Sequence, residues 1–296
     1  MVQRAAPVHR RAVRPKRMSG VTTRTGPEWA TASGDAWSEL WEHTDRGLEG
    51  LSSHLLSAMR AASPKNSFRA FDVGCGPGST SIALAGARPE ASIVACDISP
   101  SLVRVAGERT ARMRNIEIVL GDAEVVAKER GPFDLIFSRH GVMFFSDPVQ
   151  AFRNLRDSAG PDASLVFSCF QEWRLNPWAS ELTSAAAGQE VPPPGRAPSG
   201  FAFADRDYVR KIFASAGWTG AQPRAANFNY DAGSVESAMT FLSRIGPASA
   251  VLRSLPDEEQ DNARERMRRV LEAHSDGTTV SFPAAAWIWS AKAGTA

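Results

Sequence analysis

The stretch best equipped for chemistry is Phe71-Asp72-Val73-Gly74-Cys75-Gly76-Pro77-Gly78-Ser79-Thr80, an apolar run carrying an acid, then a glycine-rich turn, then a helix start with Ser and Thr at the cap. Glycines at such a turn let a ligand approach the backbone, and the helix start offers it free N–H groups. A dinucleotide site would follow G-x-G-x-x-G, but the third glycine falls one place early, at Gly78, and Ser79 stands where that motif needs glycine or a similarly small residue. Asp72 argues more strongly against a pyrophosphate, because like charges 4 Å apart repel by about 4 kcal/mol in a surface-like dielectric. The same carboxylate suits an ammonium, held directly or through water. Asp97 ends the next apolar run, nineteen residues after Gly78, and is placed to take both hydroxyls of a ribose. Asp122, in Gly121-Asp122-Ala123, ends the third and suits an adenine amino group, with the Ala123 backbone completing the base edge. An acid near an ammonium, one near a ribose and one near a base describe an adenosyl amino acid rather than a phosphate ester.

Positioning these acids requires strands that alternate with helices. Short apolar runs at 71–73, 92–96, 116–120, 133–138 and 164–170 read as strands, separated by helical patterns at 79–87, 101–113, 123–129 and 148–159. Five strands in this rhythm call for a parallel sheet covered on both faces. Ahead of them, 28–62 has apolar residues at helical spacing, from Trp37 and Trp41 through Leu48, Leu51, Leu55 and Met59, with a break expected near Gly47 or Gly50. After Cys169 the rhythm is lost: 171–203, with Trp173, Trp178 and Pro192 to Pro194, is too irregular for another βα unit. A helix capped by Asp205 and stopped by Gly217, a short strand at 227–230, helices near 234–244 and 257–273, and a final strand pattern over 278–292 complete the chain.

The chain has 296 residues, 43% hydrophobic and 22% charged, enough to bury a full core. No apolar run is long enough for a membrane span, and no signal-type segment is visible. The net charge of +2 hides an asymmetry: residues 1–18 hold six basic residues and no acid, leaving 28 basic and 32 acidic residues behind them. The body is therefore mildly acidic, against a broad nucleic-acid footprint, and the basic 1–27 segment is expected to be a disordered tail. Cys75, Cys96 and Cys169 are an odd, widely spaced set with no Cys/His cluster, which argues against a disulfide scaffold or a metal site and fits a reducing, cytoplasmic location. Cys75 and Cys96 are expected as small buried fillers.

On FDVGCGPG at 71–78, Asp97 in IVACDIS, Gly121-Asp122-Ala123 and FDLIFSRHGVMFFSDP at 133–148, the sequence resembles the class I S-adenosylmethionine-dependent methyltransferases. NPW at 176–178 and FAFAD at 201–205 are similar to the bacterial ubiquinone/menaquinone-methyltransferase-like branch. The resemblance implies an α/β, Rossmann-like, seven-stranded, mostly parallel sheet with its last strand antiparallel. Helices would cover both faces, with an N-terminal helical segment and an insertion after the fifth strand. Residues 28–296 would form the methyltransferase domain: a helical lid at 28–66, a cofactor-binding core at 67–170, the insertion at 171–203 and the rest of the fold at 204–296. S-adenosyl-L-methionine would then be the cofactor. Gly74, Gly76 and Gly78 would line its methionine part and Asp72 would lie near its ammonium. Asp97, followed by Ile98, would take the ribose, and Asp122 with Ala123 the adenine. Ser138 and Arg139, at the end of the fourth strand, would face cofactor and substrate.

Methyl transfer needs alignment, exclusion of water and, for a hydroxyl acceptor, removal of a proton. His140 directly follows the fourth strand, and an imidazole of ordinary pKa suits proton abstraction near neutrality, so it is the candidate base; a pocket-shaping role is the alternative. His9, His43, His54 and His274 are worse placed. The fourth-strand loop lacks the Asn/Asp-Pro-Pro-Tyr/Phe pattern of enzymes that methylate adenine or glutamine amino groups, and Met143, Phe144 and Phe145 are expected to pack against the sheet. Trp29, Trp37, Trp41 and the 171–203 insertion would build a concave apolar lid suited to a small organic acceptor. The alternative is an RNA or protein acceptor tethered by the basic N-terminal arm. Nicotinamide redox chemistry and a non-catalytic cofactor-binding protein are the other readings.

Overall fold

In the computed structural model, which describes residues 30–294, seven strands form one sheet in the order β3-β2-β1-β4-β5-β7-β6. The strands are β1 (Phe68–Val73), β2 (Ala91–Asp97), β3 (Ile116–Leu120), β4 (Phe133–Arg139), β5 (Ala159–Phe170), β6 (Thr219–Gly233) and β7 (Val280–Lys292). The first five are parallel, and β7 runs antiparallel between β5 and β6. The basic tail, His9 and Trp29 lie outside the described residues.

The connecting helices are α4 (Ser79–Ala87), α5 (Pro100–Thr110), α6 (Ala123–Arg130) and α7 (Pro148–Asp157). Three of them start on side-chain caps, with Ser99, Asp122 and Asp147 each accepting a backbone N–H of the first turn. β1, β2, β4 and the latter part of β5 are buried on both faces, whereas β3 at the edge is only half-buried. Ala70, Ile93, Leu135 and Val166 pack into the layer beneath the N-terminal helices, whereas Phe71, Val94, Ile136 and Leu165 pack into the opposite one. Phe71 stacks on Phe133 at 4.9 Å in that second layer. Fully burying side chains of this size contributes about 1.5–3 kcal/mol each.

The N-terminal segment forms three helices rather than two, α1 (Ala32–Glu39), α2 (Trp41–Gly47) and α3 (Glu49–Ala62). One break falls at Leu48, directly after Gly47 as expected, and a second, not expected, at the buried Leu40. Gly47 serves another purpose, since a Cβ there would lie 2.6 Å from the Tyr230 ring. Leu51, Leu55 and Met59 bury one face of α3.

Elsewhere the chain is more regular than its patterning suggests. The 171–203 segment contains α8 (Pro177–Ala187), anchored by Asn176, whose amide bridges the Ala285 backbone N–H and C=O. α9 (Arg206–Ala216) begins on Asp205 and ends on Gly217 as expected. β6 extends from 219 to 233, far beyond the short strand expected, because its first half is a largely exposed edge with no apolar alternation. An edge position also accommodates Pro223. Between β6 and β7 lie α10 (Val235–Leu242), α11 (Pro247–Ser254) and α12 (Asp257–Ala273); α11 has no counterpart in the sequence reading.

Candidate active site

The C-terminal ends of β1, β2, β3 and β4 lie side by side, with Val73 paired to Cys96, Asp97 to Leu120 and Asp72 to Phe137. Strand order reverses between β1 and β4, the position where open α/β sheets form a crevice. A cavity of about 350 Å³ opens there. Its floor is the glycine turn and the strand ends, and its roof is α1, α2, α10 and the start of α11.

The glycine turn is built by backbone constraints. Gly74, Gly76 and Gly78 all have positive φ, and Gly78 is the left-handed cap of α4. A Cβ on Gly74 would come within 3.2 Å of the Gly141 backbone, and one on Gly141 within 2.5 Å of the Val73 carbonyl. The β1 and β4 loops therefore approach this closely because each carries a glycine at the contact.

Asp97 is 9% exposed and lines the cavity. Its Oδ2 accepts the Gly76 N–H at 2.8 Å and its Oδ1 the Ser99 N–H at 2.9 Å, so one carboxylate both braces the turn and keeps a lone pair on each oxygen. Burial raises its pKa, opposed by the N–H groups of Ser99, Gly76 and Ile98. Ile98, Asp122 and Ala123 continue the same wall. Asp122 also caps α6 by accepting the Glu124 N–H at 2.8 Å.

Three residues expected at the ligand stand behind the cavity wall instead: Asp72, Gly78 and Ser138. The Ser138 hydroxyl donates to the Val73 carbonyl at 2.7 Å and accepts the Gly141 N–H at 3.0 Å. It therefore joins the two loops rather than facing a ligand, because the strand pleat turns position 138 into the core. Asp72 is 1% exposed; its Oδ2 accepts the Ser81 hydroxyl at 2.6 Å and its Oδ1 has no partner. Burial pushes its pKa up to about 7, against the Ser81 bond and the Arg139 charge.

Arg139 lines the cavity and reaches the lid, where its Nη2 meets Asp45 Oδ1 at 2.8 Å. Asp45 also takes Arg109 at 3.0 Å and the Ser79 hydroxyl at 2.6 Å. Burial opposes ionisation of Asp45, but the Arg139 charge, the bonds from Ser79 and Arg139 and the Arg109 charge together hold its carboxyl below the usual range. Arg109 further donates to the Pro77 carbonyl at 2.8 Å and lies 3.9 Å from the centre of the Trp41 ring. This cluster pins α2 to the glycine turn. Sequence reasoning missed it, although Trp41 and Asp45 are four apart and so share a helix face.

His140 lines the cavity with φ +63, a left-handed conformation that His, like Asn and Asp, adopts more readily than other non-glycine residues. Its Nδ1 is 2.8 Å from the Ser168 hydroxyl, its ring contacts Phe170 edge-on at 4.2 Å, and its Nε2 is shielded from solvent without a partner. The expectation of an ordinary imidazole pKa is corrected here. Burial first, then the Arg139 charge, push it down to about 3, so the ring is neutral across the physiological range. Cys75 and Cys96 are buried and unpaired, and burial raises both thiols, Cys96 to about 12, which makes them poor nucleophiles.

The wall away from the acids is aromatic. Trp178 stacks on Tyr230 at 5.0 Å and 9° and on Phe201 at 6.2 Å, and Phe201 stacks on Phe170 at 5.3 Å. Met143 is buried beside the cavity, while Phe144 and Phe145 reach its surface, so this trio both packs and lines. Among the described residues, no helix is long and apolar enough to cross a membrane, and no group of three or more His, Cys, Asp or Glu side chains is placed to hold a metal.

Residues 70–162 match the family model described as a methyltransferase domain. Over 152 residues the chain is 30% identical to malonyl-[acyl-carrier protein] O-methyltransferase of Geobacter sulfurreducens, covering 51% of this chain and 55% of that protein. Over 109 residues it is 29% identical to demethylmenaquinone methyltransferase of Staphylococcus carnosus, covering 36% and 45%. The chain thus spans little more than half the length of the curated relatives it matches first. Among solved structures, the YcgJ protein of Bacillus subtilis aligns with a TM-score of 0.55 at 17% identity, over 82% of this chain and 99% of that one. The [4+2]-cyclase SpnF aligns at 0.57 and 13%, over 94% and 100%. Phosphoethanolamine N-methyltransferase 2 of Haemonchus contortus, solved with S-adenosyl-L-methionine, aligns at 0.53 and 14%, over 94% and 61%. The sheet order, the glycine turn and the acids at successive strand ends are those of a class I, Rossmann-like methyltransferase fold. Residues 70–162 thus carry a methyltransferase domain, and the chain around it is similar to S-adenosylmethionine-dependent methyltransferases.

Proposed function

We propose that this protein binds S-adenosyl-L-methionine and methylates a small organic acceptor. The observation that carries the reading is one cavity whose floor presents the glycine turn, Asp97 and Asp122 in strand order and whose far wall is aromatic. The residues fit the cofactor. Asp97 keeps lone pairs for two hydroxyls, the glycine turn has no Cβ to bar close approach, and the Asp72 carboxyl behind the turn, once ionised, attracts an ammonium through space. Gly74 and Gly76 would face the methionine part, Asp97 with Ile98 the ribose, and Asp122 with Ala123 the adenine.

When bound, the cofactor supplies a methyl group activated by its sulfonium, which passes in line to the acceptor and leaves S-adenosylhomocysteine. The protein's own contribution is alignment and exclusion of water. Ser138 fixes the β4 loop on the glycine turn, and Asp45 with Arg109 closes the lid over it. His140 offers a neutral Nε2 whose role follows from its low basicity: it holds the acceptor's hydrogen-bonding group in place and takes a proton only as the new bond forms.

A roof of helices over the floor favours a small acceptor over a folded macromolecule. Buried, unpaired cysteines suit the cytoplasm as its location. The [4+2]-cyclase on this fold makes the decisive test chemical rather than structural. Calorimetric titration with S-adenosyl-L-methionine, followed by measurement of S-adenosylhomocysteine released with small acceptors, supports the reading if both are positive. Tight nicotinamide-cofactor binding with no response to S-adenosyl-L-methionine refutes it. Removing residues 1–17 leaves turnover unchanged on this reading, whereas a tethered macromolecular substrate would lose it.

A further inference from the structure

The charge of the acceptor is written in how the cavity's cation is used, given the methyl-transfer reading above. Arg139 is the one Arg or Lys lining the cavity among the described residues. It is already engaged, with Nη2 on Asp45 at 2.8 Å and Nη1 3.4 Å from the Ser52 hydroxyl. Its side chain is 9% exposed. Asp45 cannot swing aside to free it, because Arg109 at 3.0 Å and the Ser79 hydroxyl at 2.6 Å hold the same carboxylate.

What the wall does offer is neutral. Thr44 Oγ1, Ser199 Oγ and His140 Nε2 all belong to cavity-lining residues, and all three atoms are buried without a hydrogen-bond partner. Thr44 comes from the lid and Ser199 from the 171–203 insertion, so the unmet atoms come from opposite sides of the chain. Buried polar atoms left unpaired are destabilising, and a ligand that satisfies them recovers that free energy. Between them run the stacked Tyr230, Trp178 and Phe201 rings.

We propose that Asp45 is a specificity-determining residue: by engaging the Arg139 guanidinium it withholds the wall's one cationic hydrogen-bond donor and restricts the acceptor to an uncharged, flat, largely apolar molecule bearing hydroxyl or carbonyl groups that meet Thr44 and Ser199. A carboxylate brought to this wall loses its hydration and finds that guanidinium already held. This sets the protein apart from relatives whose name specifies a malonyl group, an acceptor that carries a carboxylate.

The test uses 2-naphthol and 2-naphthoate as matched flat probes, titrated by calorimetry at pH 7.5 into the full chain with and without S-adenosylhomocysteine. The naphthol is neutral there, as a phenol of pKa about 10 is, and the naphthoate is ionised. Naphthol is expected to bind at least about tenfold more tightly than naphthoate, the cost of an uncompensated buried carboxylate. Asp45→Asn, which releases the guanidinium, is expected to raise naphthoate affinity, and to raise it relative to naphthol by about tenfold or more. Thr44→Val or Ser199→Ala is expected to weaken naphthol by about three- to tenfold. Equal affinity for the two native-protein titrations, no binding of naphthol, or no gain for naphthoate in Asp45→Asn overturns the proposal. The native-protein comparison stands even if the variant fails to fold. Binding of S-adenosylhomocysteine itself, read in the same titrations, reports separately on the methyl-transfer reading.

Discussion

Asp97→Ala is the perturbation that bears most directly on how the cavity holds its cofactor. The carboxylate already receives two backbone N–H groups, at 2.8 and 2.9 Å, in the ligand-free protein. Its contribution to binding is therefore the exchange of water for two sugar hydroxyls on the remaining lone pairs, not the full strength of two new bonds. For hydrogen bonds to a charged group with part of the gain already matched by water, the net is about 1–3 kcal/mol in total, or about 5- to 150-fold in affinity. The variant also unpairs the Gly76 and Ser99 N–H groups, which loosens the turn and inflates the apparent loss. A double-mutant cycle separates the two effects. S-adenosylhomocysteine and its 2′,3′-dideoxyribose analogue are titrated calorimetrically into native and variant protein. Native protein is expected to lose about 1–3 kcal/mol on removal of the hydroxyls, and Asp97→Ala close to nothing further. Equal losses in both proteins would mean that the ribose lies elsewhere, and the assignment of the strand-end acids would fall with it.

With His140 neutral down to about pH 3, kcat is expected to show no decline attributable to a histidine between pH 8 and pH 5; a fall centred near 6.5 in the pH–rate profile would restore an ordinary imidazole base. Asp72, with a folded pKa of about 7 against 3.8, binds a proton in the folded state that the unfolded chain has lost. Its contribution to stability is therefore present at acid pH, declines as pH rises from about 4 to about 7, and is flat above. Asp72→Asn, which cannot ionise, should gain thermal midpoint relative to native protein at pH 8 compared with pH 5, and a pH-independent difference would sink this assignment. Because a cation favours the ionised carboxylate, cofactor affinity should rise with pH across the same upper range, with proton release detectable as a buffer-dependent heat. Ser138→Ala should destabilise the fold by about 1–3 kcal/mol, since it leaves the Gly141 N–H without its acceptor, and denaturant titration would register the change.

The glycine turn and strand-end acids proposed to hold the cofactor were legible because their signals are local. Strand, turn and helix succeed one another within ten residues at 71–80, and Asp97 and Asp122 each stand where an apolar run stops. The parallel core was legible for the same reason, since strands buried on both faces read as continuous apolar runs. What escaped was set by contacts remote in sequence. Asp45 matters because Arg109 and Arg139 reach it from 64 and 94 residues away. Ser199 carries no local signal at all. Ser138 turns away from the crevice for a plainer reason: residues at a strand end alternate sides, so nearness to the crevice does not imply exposure to it. For His140 the type and place were readable, but its basicity depends on burial under Phe170 and the lid, which no spacing reveals.

The long β6–β7 hairpin carries α10, α11 and α12 as an excursion between its two arms. Part of the roof of the cavity, α10 and the start of α11, therefore belongs to a piece of chain that leaves β6 and returns on β7, at the opposite end of the sheet from Asp97 and Asp122. Changes of length or side chain in that excursion alter which molecules are admitted while the register of the cofactor-bearing strands stays as it is. On the proposed reading, the excursion's share of acceptor selectivity is separable from nucleoside recognition, and exchanging residues 234–279 as a cassette would alter the first without the second.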